Sequence, residues 1–181
     1  KNNIIMNEGY EKRDNLFTKG IGSSIYIKNK KYLDLSFCAG TNLLGHNSKI
    51  YKKAVKQLIK LNISNLAAKN LHAYKFSKTL KKTFPNYSKF IFCNSGTEAV
   101  FKSLRIARAI TKKNLIISVS GSWHGSVNEL LFTTNSKLKS IELSGGLESQ
   151  TKKNIRFIPY NDIEGSKKIL RKLEKKIMCI I

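Results

Sequence analysis

The second half of the chain alternates short apolar runs with stretches of helical periodicity, and this alternation constrains the fold more than any other feature. The runs at residues 90–93, 115–119 and 155–158 each have the length and composition of a buried strand. Strands that alternate with helices build parallel sheets from βαβ units. The sequence therefore predicts an α/β fold with an incomplete, mostly parallel sheet and flanking helices.

Two helices and a loop are predicted around these strands. Residues 97–110 form the first helix, and the second is marked by Ile163, Ile169, Leu170, Leu173 and Ile177. The polar segment 133–154 is predicted to be a surface loop. The apolar run at residues 178–181 only begins another strand, so we expect the chain to be truncated there, as part of a longer protein.

The first part of the chain predicts a small strand and helix segment. Apolar and polar residues alternate across residues 20–35 around a central Asn-Lys pair, which predicts an antiparallel hairpin. Helical spacing of apolar residues follows from Ser48, which fits an N-cap, and returns over residues 71–84 until Pro85 ends the pattern.

The chain is strongly basic, with 34 basic and 11 acidic residues and a net charge of +23. Such an excess suggests an anionic partner such as nucleic acid. However, the lysines are scattered over predicted helix faces and turns, and arginine is scarce beside lysine. A compositional bias toward Lys, Asn and Ile therefore explains the charge better, and a basic nucleic-acid-binding module remains a remote alternative.

Cysteine usage and the absence of targeting signals favour the cytoplasm. Cys38, Cys93 and Cys179 form no CxxC pair and no metal spacing with any histidine, so we predict buried, reduced thiols and no metal site. The beginning of the chain lacks the apolar core of a secretory signal. No apolar run approaches the roughly 20 residues of a membrane span.

The segment CNSGTEA, residues 93–99, combines a strand end, a turn and a helix start. Ser95 and Gly96 turn the chain and Thr97 opens the helix, so hydroxyls and free backbone N–H groups converge at the positive end of the helix dipole. This arrangement suits a phosphate monoester. An ordinary N-cap at Ser95 or Thr97 explains the same residues, and the spacing alone slightly favours capping.

The segment GSWHG, residues 121–125, follows the next predicted strand. Trp123 and His124 are thereby placed at the carboxyl end of a parallel strand, the edge where ligands bind in open α/β sheets. A flat ring beside a phosphate cradle fits a planar aromatic cofactor with a phosphate arm. A core position for Trp123 and a hydrogen-bonded turn position for His124 are the ordinary alternatives.

The string NSGTEAVFKSLRIARA, followed after a strand by GSWHG, resembles class III aminotransferases, and within them the branch of glutamate-1-semialdehyde 2,1-aminomutase. LLGHNSKIYKKAVKQ is similar to the family's Leu-Gly-His turn and the following helix, and IMCII to the strand before its Glu-Pro segment. The resemblance covers nearly the whole chain. It implies a fold type I transferase that uses pyridoxal 5'-phosphate (PLP), with residues 1–63 as the amino-terminal segment and residues 64–181 as the first part of the large PLP-binding domain.

The resemblance also implies a cofactor site. Residues 95–97 match the phosphate cradle of the family, Trp123 takes the place of a Tyr or Phe stacked on the pyridine ring, and His124 lies beside that ring. His46, in the Leu-Gly-His turn, is expected to have a structural role because a helix starts immediately after it. The residues implied to bind the cofactor are Ser95, Gly96, Thr97, Trp123 and His124.

As an enzyme of this family, the protein would move an amino group between an amino acid or amine and a carbonyl acceptor, as a homodimer with small-molecule substrates. Intramolecular transfer by an aminomutase is the alternative, but Ala39 lies where that branch offers an aromatic side chain near the substrate, so we expect a different pocket. The cofactor-binding lysine and the aspartate at the pyridine nitrogen are expected beyond Ile181. The chain alone would then be inactive.

Overall fold

The computed structural model describes residues 16–61 and 70–181. The chain divides into two units, residues 1–75 and 76–181. The predicted boundary between residues 63 and 64 lies outside the described residues.

Alternating side chains in the first unit produce a three-stranded antiparallel sheet. Its strands are β1 (Phe17–Ile21), β2 (Ser24–Ile27) and β3 (Lys30–Leu33), in that spatial order. The predicted hairpin is confirmed as β2 and β3, with its two-residue turn at Lys28 and Asn29, one position earlier than the Asn-Lys pair. β1 has no recognisable sequence pattern, because that strand is almost entirely exposed and carries no buried apolar face.

Asp34 and His46 fasten the loop that follows this sheet. Nε2 of His46 lies 2.7 Å from Oδ2 of Asp34, and the other carboxylate oxygen accepts the N–H groups of Ser36 and Phe37. The hydrogen bond to His46, followed by the one from Phe37, lowers the pKa of Asp34. Two backbone hydrogen bonds of 2.9 Å join His46 to Gly22. The structural role predicted for His46 is confirmed.

Two helices follow, both where the periodicity predicts them. α1 (Lys49–Lys60) begins after Ser48, whose Oγ accepts the N–H of Ile50 at 3.2 Å, so the predicted N-cap is confirmed. α2 (Leu71–Thr83) ends shortly before Pro85, which cannot continue a helix.

The second unit contains the parallel sheet. In chain order its helices and strands are α3 (Gly96–Thr111), β4 (Leu115–Val119), β5 (Phe132–Thr134), β6 (Ser140–Glu142), β7 (Ile155–Ile158), α4 (Ile163–Leu173) and β8 (Ile177–Ile180). β4 pairs in parallel with β7 on one side and with β8 on the other. The predicted α/β fold with an incomplete parallel sheet and flanking helices is confirmed.

The central position of β4 buries the side chains on both of its faces. Ile116 and Ile117 are both 0% exposed, as expected for a strand with a partner on each side and side chains that alternate between faces. Ile116 belongs to a buried cluster that includes Leu104 of α3, Phe157 of β7 and Met178 of β8. α3 is therefore held against the sheet by its apolar face.

The prediction of a strand at residues 90–93 is wrong. This segment forms no strand and pairs with none of the strands in the described parts of the chain. It is held instead by side-chain packing, since the rings of Phe92 and Phe76 stack with centroids 5.5 Å apart. A strand requires a partner's backbone groups, and an apolar run cannot reveal whether that partner exists.

Two further predictions need correction. The segment 133–154 is not a plain surface loop, because it contains most of the antiparallel hairpin of β5 and β6, and residues Thr151–Asn154 form a 3-10 turn. Strands of three residues are too short for alternation to be recognised in a polar sequence. Ile177 does not belong to the last helix: α4 ends at Leu173, and after a 3-10 turn Ile177 begins β8.

The cysteines are free, but the prediction that all of them are buried is wrong. Cys38 is exposed, and Cys93 and Cys179 are half-buried. Cys38 lies in the loop after the antiparallel sheet, where its apolar neighbours Phe37 and Ala39 do not form a core. None of the helices in residues 16–61 and 70–181 combines the length and the apolar character that crossing a bilayer requires.

Truncation of Ile116 tests the importance of β4. Because Ile116 is 0% exposed in the core cluster, we expect Ile116→Ala to lower the free energy of unfolding by about 2–5 kcal/mol. Ile110→Ala is the matched control, since Ile110 of α3 is 76% exposed, and its effect should stay within about 0.5 kcal/mol. Denaturant unfolding monitored by circular dichroism measures the free energy of unfolding of both variants. Equal losses would contradict the assignment of β4 as the central strand of the core.

Candidate functional site

The amino terminus of α3 begins at an N-cap. Ser95 has extended backbone angles, and its Oγ accepts the N–H of Glu98 at 3.1 Å. The capping interpretation of Ser95 is thereby confirmed. Accepting this bond leaves the hydroxyl proton of Ser95 available for donation, so capping does not exclude a bound anion.

Two backbone amides of the first turn remain open. The N–H groups of Gly96 and Thr97 donate to no acceptor within residues 16–61 and 70–181, as the geometry of a helix start dictates. They lie at the positive end of a helix of 16 residues. An anion with several oxygens could accept from both amides at once.

Glu98 makes the turn more ordered than a simple cap would. Its Oε2 accepts the N–H of Asn94 at 2.8 Å, and its Oε1 lies 2.6 Å from Nζ of Lys102. The hydrogen bond from Lys102, followed by the one from Asn94, lowers the pKa of Glu98, and the same pairing raises the pKa of Lys102. Both side chains are therefore ionised at neutral pH, as a pair.

Thr97 connects the turn to the loop after β4. Its Oγ1 accepts the N–H of Ser126 at 3.2 Å. Gly125, which has a φ of +76°, passes so close that a Cβ added there would collide with Oγ1 of Thr97. The structure therefore brings together the two segments that the sequence analysis selected separately. Because Thr97 accepts this bond through oxygen, its hydroxyl proton remains available to a ligand.

His124 is held under the loop by two serines. Its Nε2 lies 2.9 Å from Oγ of Ser122 and 3.2 Å from Oγ of Ser118, and Ser118, on β4, is only 1% exposed. Burial lowers the pKa of His124, so the imidazole is neutral at pH 7. Neither serine was among the predicted site residues, although Ser118 stands out in the sequence as a polar residue inside an apolar strand.

Trp123 lies at the surface, between the glycines of its loop. Its side chain is 58% exposed, so the interpretation of Trp123 as a core residue is wrong. The flanking Gly121 and Gly125 both have left-handed backbones, with φ of +83° and +76°, which side chains rarely tolerate. An exposed, flat ring at the carboxyl end of a central parallel strand is available to stack on a ligand.

An open groove of about 410 Å³ adjoins the turn, lined in part by Ser95, Thr97 and Ser126. Glu98 and Glu129 also line the groove, and Nη2 of Arg108 lies 3.5 Å from Oε1 of Glu129. Each acidic group thus has a cationic neighbour. The described residues contain no cluster of three His, Cys, Asp or Glu side chains that could hold a metal ion.

Known proteins with similar sequences fall into one family. The sequence model of the family described as aminotransferase class III matches residues 5–179. A glutamate-1-semialdehyde 2,1-aminomutase of Thermodesulfovibrio yellowstonii is 35% identical over 167 residues, which cover 90% of this chain and 39% of that protein. The aminomutase of Methanosphaera stadtmanae is 33% identical over 162 residues, covering 88% of this chain and 38% of that protein.

Solved structures share the fold. A transaminase with bound PLP superposes with a TM-score of 0.82 at 22% identity, covering 92% of this chain and 39% of that one. An omega-transaminase from Sphaerobacter thermophilus gives a TM-score of 0.81 at 21% identity, covering 92% and 40%. The chain spans about two fifths of the length of the proteins that it matches.

The contact between Gly125 and Thr97 can be tested with a matched pair of glycines. Gly125→Ala and Gly121→Ala both place a side chain at positive φ, but a Cβ at Gly121 meets nothing within 4 Å. We expect Gly125→Ala to lower the free energy of unfolding by about 1–3 kcal/mol more than Gly121→Ala. Hydrogen exchange at the Ser126 amide should also accelerate in Gly125→Ala only. Equal behaviour of the two variants would contradict the contact.

The environment of His124 predicts a pH dependence. Because burial lowers its pKa, we expect NMR titration of the ring to give a midpoint below the ordinary value of 6.5. The unfolded chain then binds a proton at a higher pH than the folded chain does. The contribution of neutral His124 to the free energy of unfolding is therefore complete above the unfolded pKa and is lost as the pH falls through the folded pKa. Denaturant unfolding between about pH 8 and pH 5 measures how steeply the free energy of unfolding changes with pH, and His124→Asn should make this change smaller. A midpoint at or above 6.5 would refute the burial effect.

Proposed function

Because the chain belongs to the class III aminotransferase family, we propose that the full-length protein is a PLP-dependent aminotransferase that moves an amino group between an amino acid or amine and a carbonyl acceptor. The chain spans 39% of the aminomutase from Thermodesulfovibrio yellowstonii, so the proposal concerns the protein at its full length. The observation that carries it is the hydrogen bond between Thr97 and Ser126. This bond joins a turn suited to phosphate and a loop that presents an aromatic ring.

In this proposal the turn at the start of α3 binds the phosphate of PLP. The open amides of Gly96 and Thr97 donate to phosphate oxygens, and the hydroxyls of Ser95 and Thr97 add two further donors. The positive end of the helix dipole favours the dianion. The residues present therefore fit the phosphate group of the cofactor.

The loop after β4 would orient the cofactor ring. Trp123 offers an exposed indole face for stacking. His124 is neutral and hydrogen-bonded to Ser122 and Ser118, so we assign it to holding the loop in place and to lying beside the ring. Bound PLP supplies the electron sink on which amino transfer depends.

The remaining parts of the proposal rest on family membership. We propose that the lysine that binds the cofactor and the aspartate at the pyridine nitrogen lie beyond residue 181, in a large domain that we expect to begin near residue 64. We also propose a homodimer, as the family implies, and a reducing compartment such as the cytoplasm, which the three free cysteines support.

An aminomutase is the second candidate, since the two curated relatives described above both carry that name. The loop at residues 37–39 favours a substrate pocket different from that of the aminomutases. Ala39 offers no aromatic ring there, and Phe37, Cys38 and Ala39 all have left-handed backbones. Assaying the full-length protein with glutamate-1-semialdehyde alone, and with separate amino donors and acceptors, separates the two activities. Turnover of the single substrate without an added acceptor would favour the aminomutase.

We do not propose nucleic-acid binding as the function. Basic residues lie on helices of both units, with five lysines on α1 and four lysines or arginines on α4. Because the excess is not confined to one element, a compositional bias accounts for it without a nucleic-acid partner. A steep dependence of RNA or DNA binding on salt concentration would contradict this view.

Variants of Thr97 and Trp123 test the cofactor site. In the full-length protein, Thr97→Ala removes one hydrogen bond to a charged group, so we expect PLP to bind about 10- to 100-fold more weakly. Trp123→Ala should weaken binding about threefold to tenfold through lost stacking, and Trp123→Phe should restore most of it. Thr111→Ala, at the other end of the same helix, is the control and should bind PLP normally. Equilibrium dialysis measures these affinities, and unchanged binding in both site variants would refute the assignment.

A further inference from the structure

Glu98 presents an electrostatic problem at the site proposed above. Its carboxylate reaches back over the first turn of α3 to the amide of Asn94, close to the open amides of Gly96 and Thr97. A negative charge there repels a phosphate dianion and offsets the helix dipole. The pairing with Lys102 keeps Glu98 ionised, so protonation does not remove this charge.

The structure contains the compensation. Nζ of Lys102 lies 2.6 Å from Oε1 of Glu98, one helical turn away on the same face. The pair has no net charge, and the other carboxylate oxygen is still able to accept from Asn94 at 2.8 Å. The turn therefore gains a backbone anchor without keeping a net negative charge beside the anion.

We propose that Glu98 and Lys102 are positioning residues for the phosphate group: Glu98 fixes the peptide that enters the turn, and Lys102 neutralises the carboxylate that does so. Neither residue needs to touch the cofactor. Glu98 acts through the Asn94 amide and through its own N–H, which Ser95 caps at 3.1 Å. This inference rests on the proposed function, since it assigns the anion to PLP.

The proposal predicts a specific pattern of cofactor affinity in the full-length protein. Lys102→Met leaves an unpaired carboxylate, so PLP should bind on the order of tenfold more weakly. Pyridoxal, which lacks the phosphate, should bind within about twofold of wild type, because its ring carries no comparable negative charge. A loss of structure alone would affect both compounds equally.

Double variants separate the charge from the anchor. Glu98→Gln/Lys102→Met carries neither charge and keeps an amide oxygen for Asn94, so PLP affinity should return to within about twofold of wild type. Glu98→Ala/Lys102→Met is also neutral but lacks the acceptor. In that variant PLP affinity should remain low and hydrogen exchange at the Asn94 amide should accelerate.

The control is a similar ion pair elsewhere in the chain. Lys167 and Glu164, on α4, lie 2.8 Å apart, and Lys167→Met should leave the affinity for PLP unchanged. Exposed pairs of this kind contribute little to stability, so both lysine variants should fold.

Equilibrium dialysis with PLP and with pyridoxal distinguishes the outcomes. A wild-type protein that binds no PLP would overturn the proposed function together with this inference. A wild-type protein that binds PLP, while Lys102→Met binds it as tightly as Lys167→Met does, would overturn this inference alone. Failure of Glu98→Gln/Lys102→Met to recover affinity would do the same.

Discussion

The parallel pairing of β4 with a strand on each side is the interaction on which the rest of the second unit depends. It buries Ile116 and Ile117 completely, and the cluster around Ile116 holds α3 against the sheet through Leu104. The same strand delivers the GSWHG loop at its carboxyl end. The central strand therefore sets the position of both segments that form the candidate site, one through packing and one through chain continuity.

The turn at the start of α3 shows that capping and anion binding do not compete. Ser95 uses an oxygen lone pair for the cap, whereas an anion would need its proton. Thr97 likewise accepts from Ser126 and keeps its own donor. Sequence reasoning treated the two interpretations as alternatives, but the hydrogen-bonding capacity of a hydroxyl group allows both at once.

Elements with strong local signals were predictable from the sequence. Leu115–Val119 and Ile155–Ile158 form strands with the predicted bounds, and α3 differs from its predicted range by one residue at each end. The wrong predictions share one cause, since strand pairing is not visible in a local pattern. Residues 90–93 have the composition of a strand but no partner among the described residues, and β5 and β6 pair although neither shows a recognisable alternation.

The residues of the candidate site were proposed from the sequence, but the network of contacts between them was not. Ser95, Gly96 and Thr97 were identified from one motif, and Trp123 and His124 from another. The contacts that organise them involve Ser118, Ser122 and Ser126. The first is marked by its place in an apolar strand and the second by the GSWHG motif, but neither pattern reveals the contacts themselves. Such contacts depend on how a strand, a loop and a helix meet in space, which periodicity does not encode.

The bond between Thr97 and Ser126 also has a kinetic consequence. It joins positions 29 residues apart and closes a loop that contains most of α3 and all of β4. Contacts of long sequence separation carry an entropic cost and form after local helices. We therefore expect the turn to acquire its final geometry late in folding, and a ligand that recognises this geometry to stabilise the folded domain over the unfolded chain.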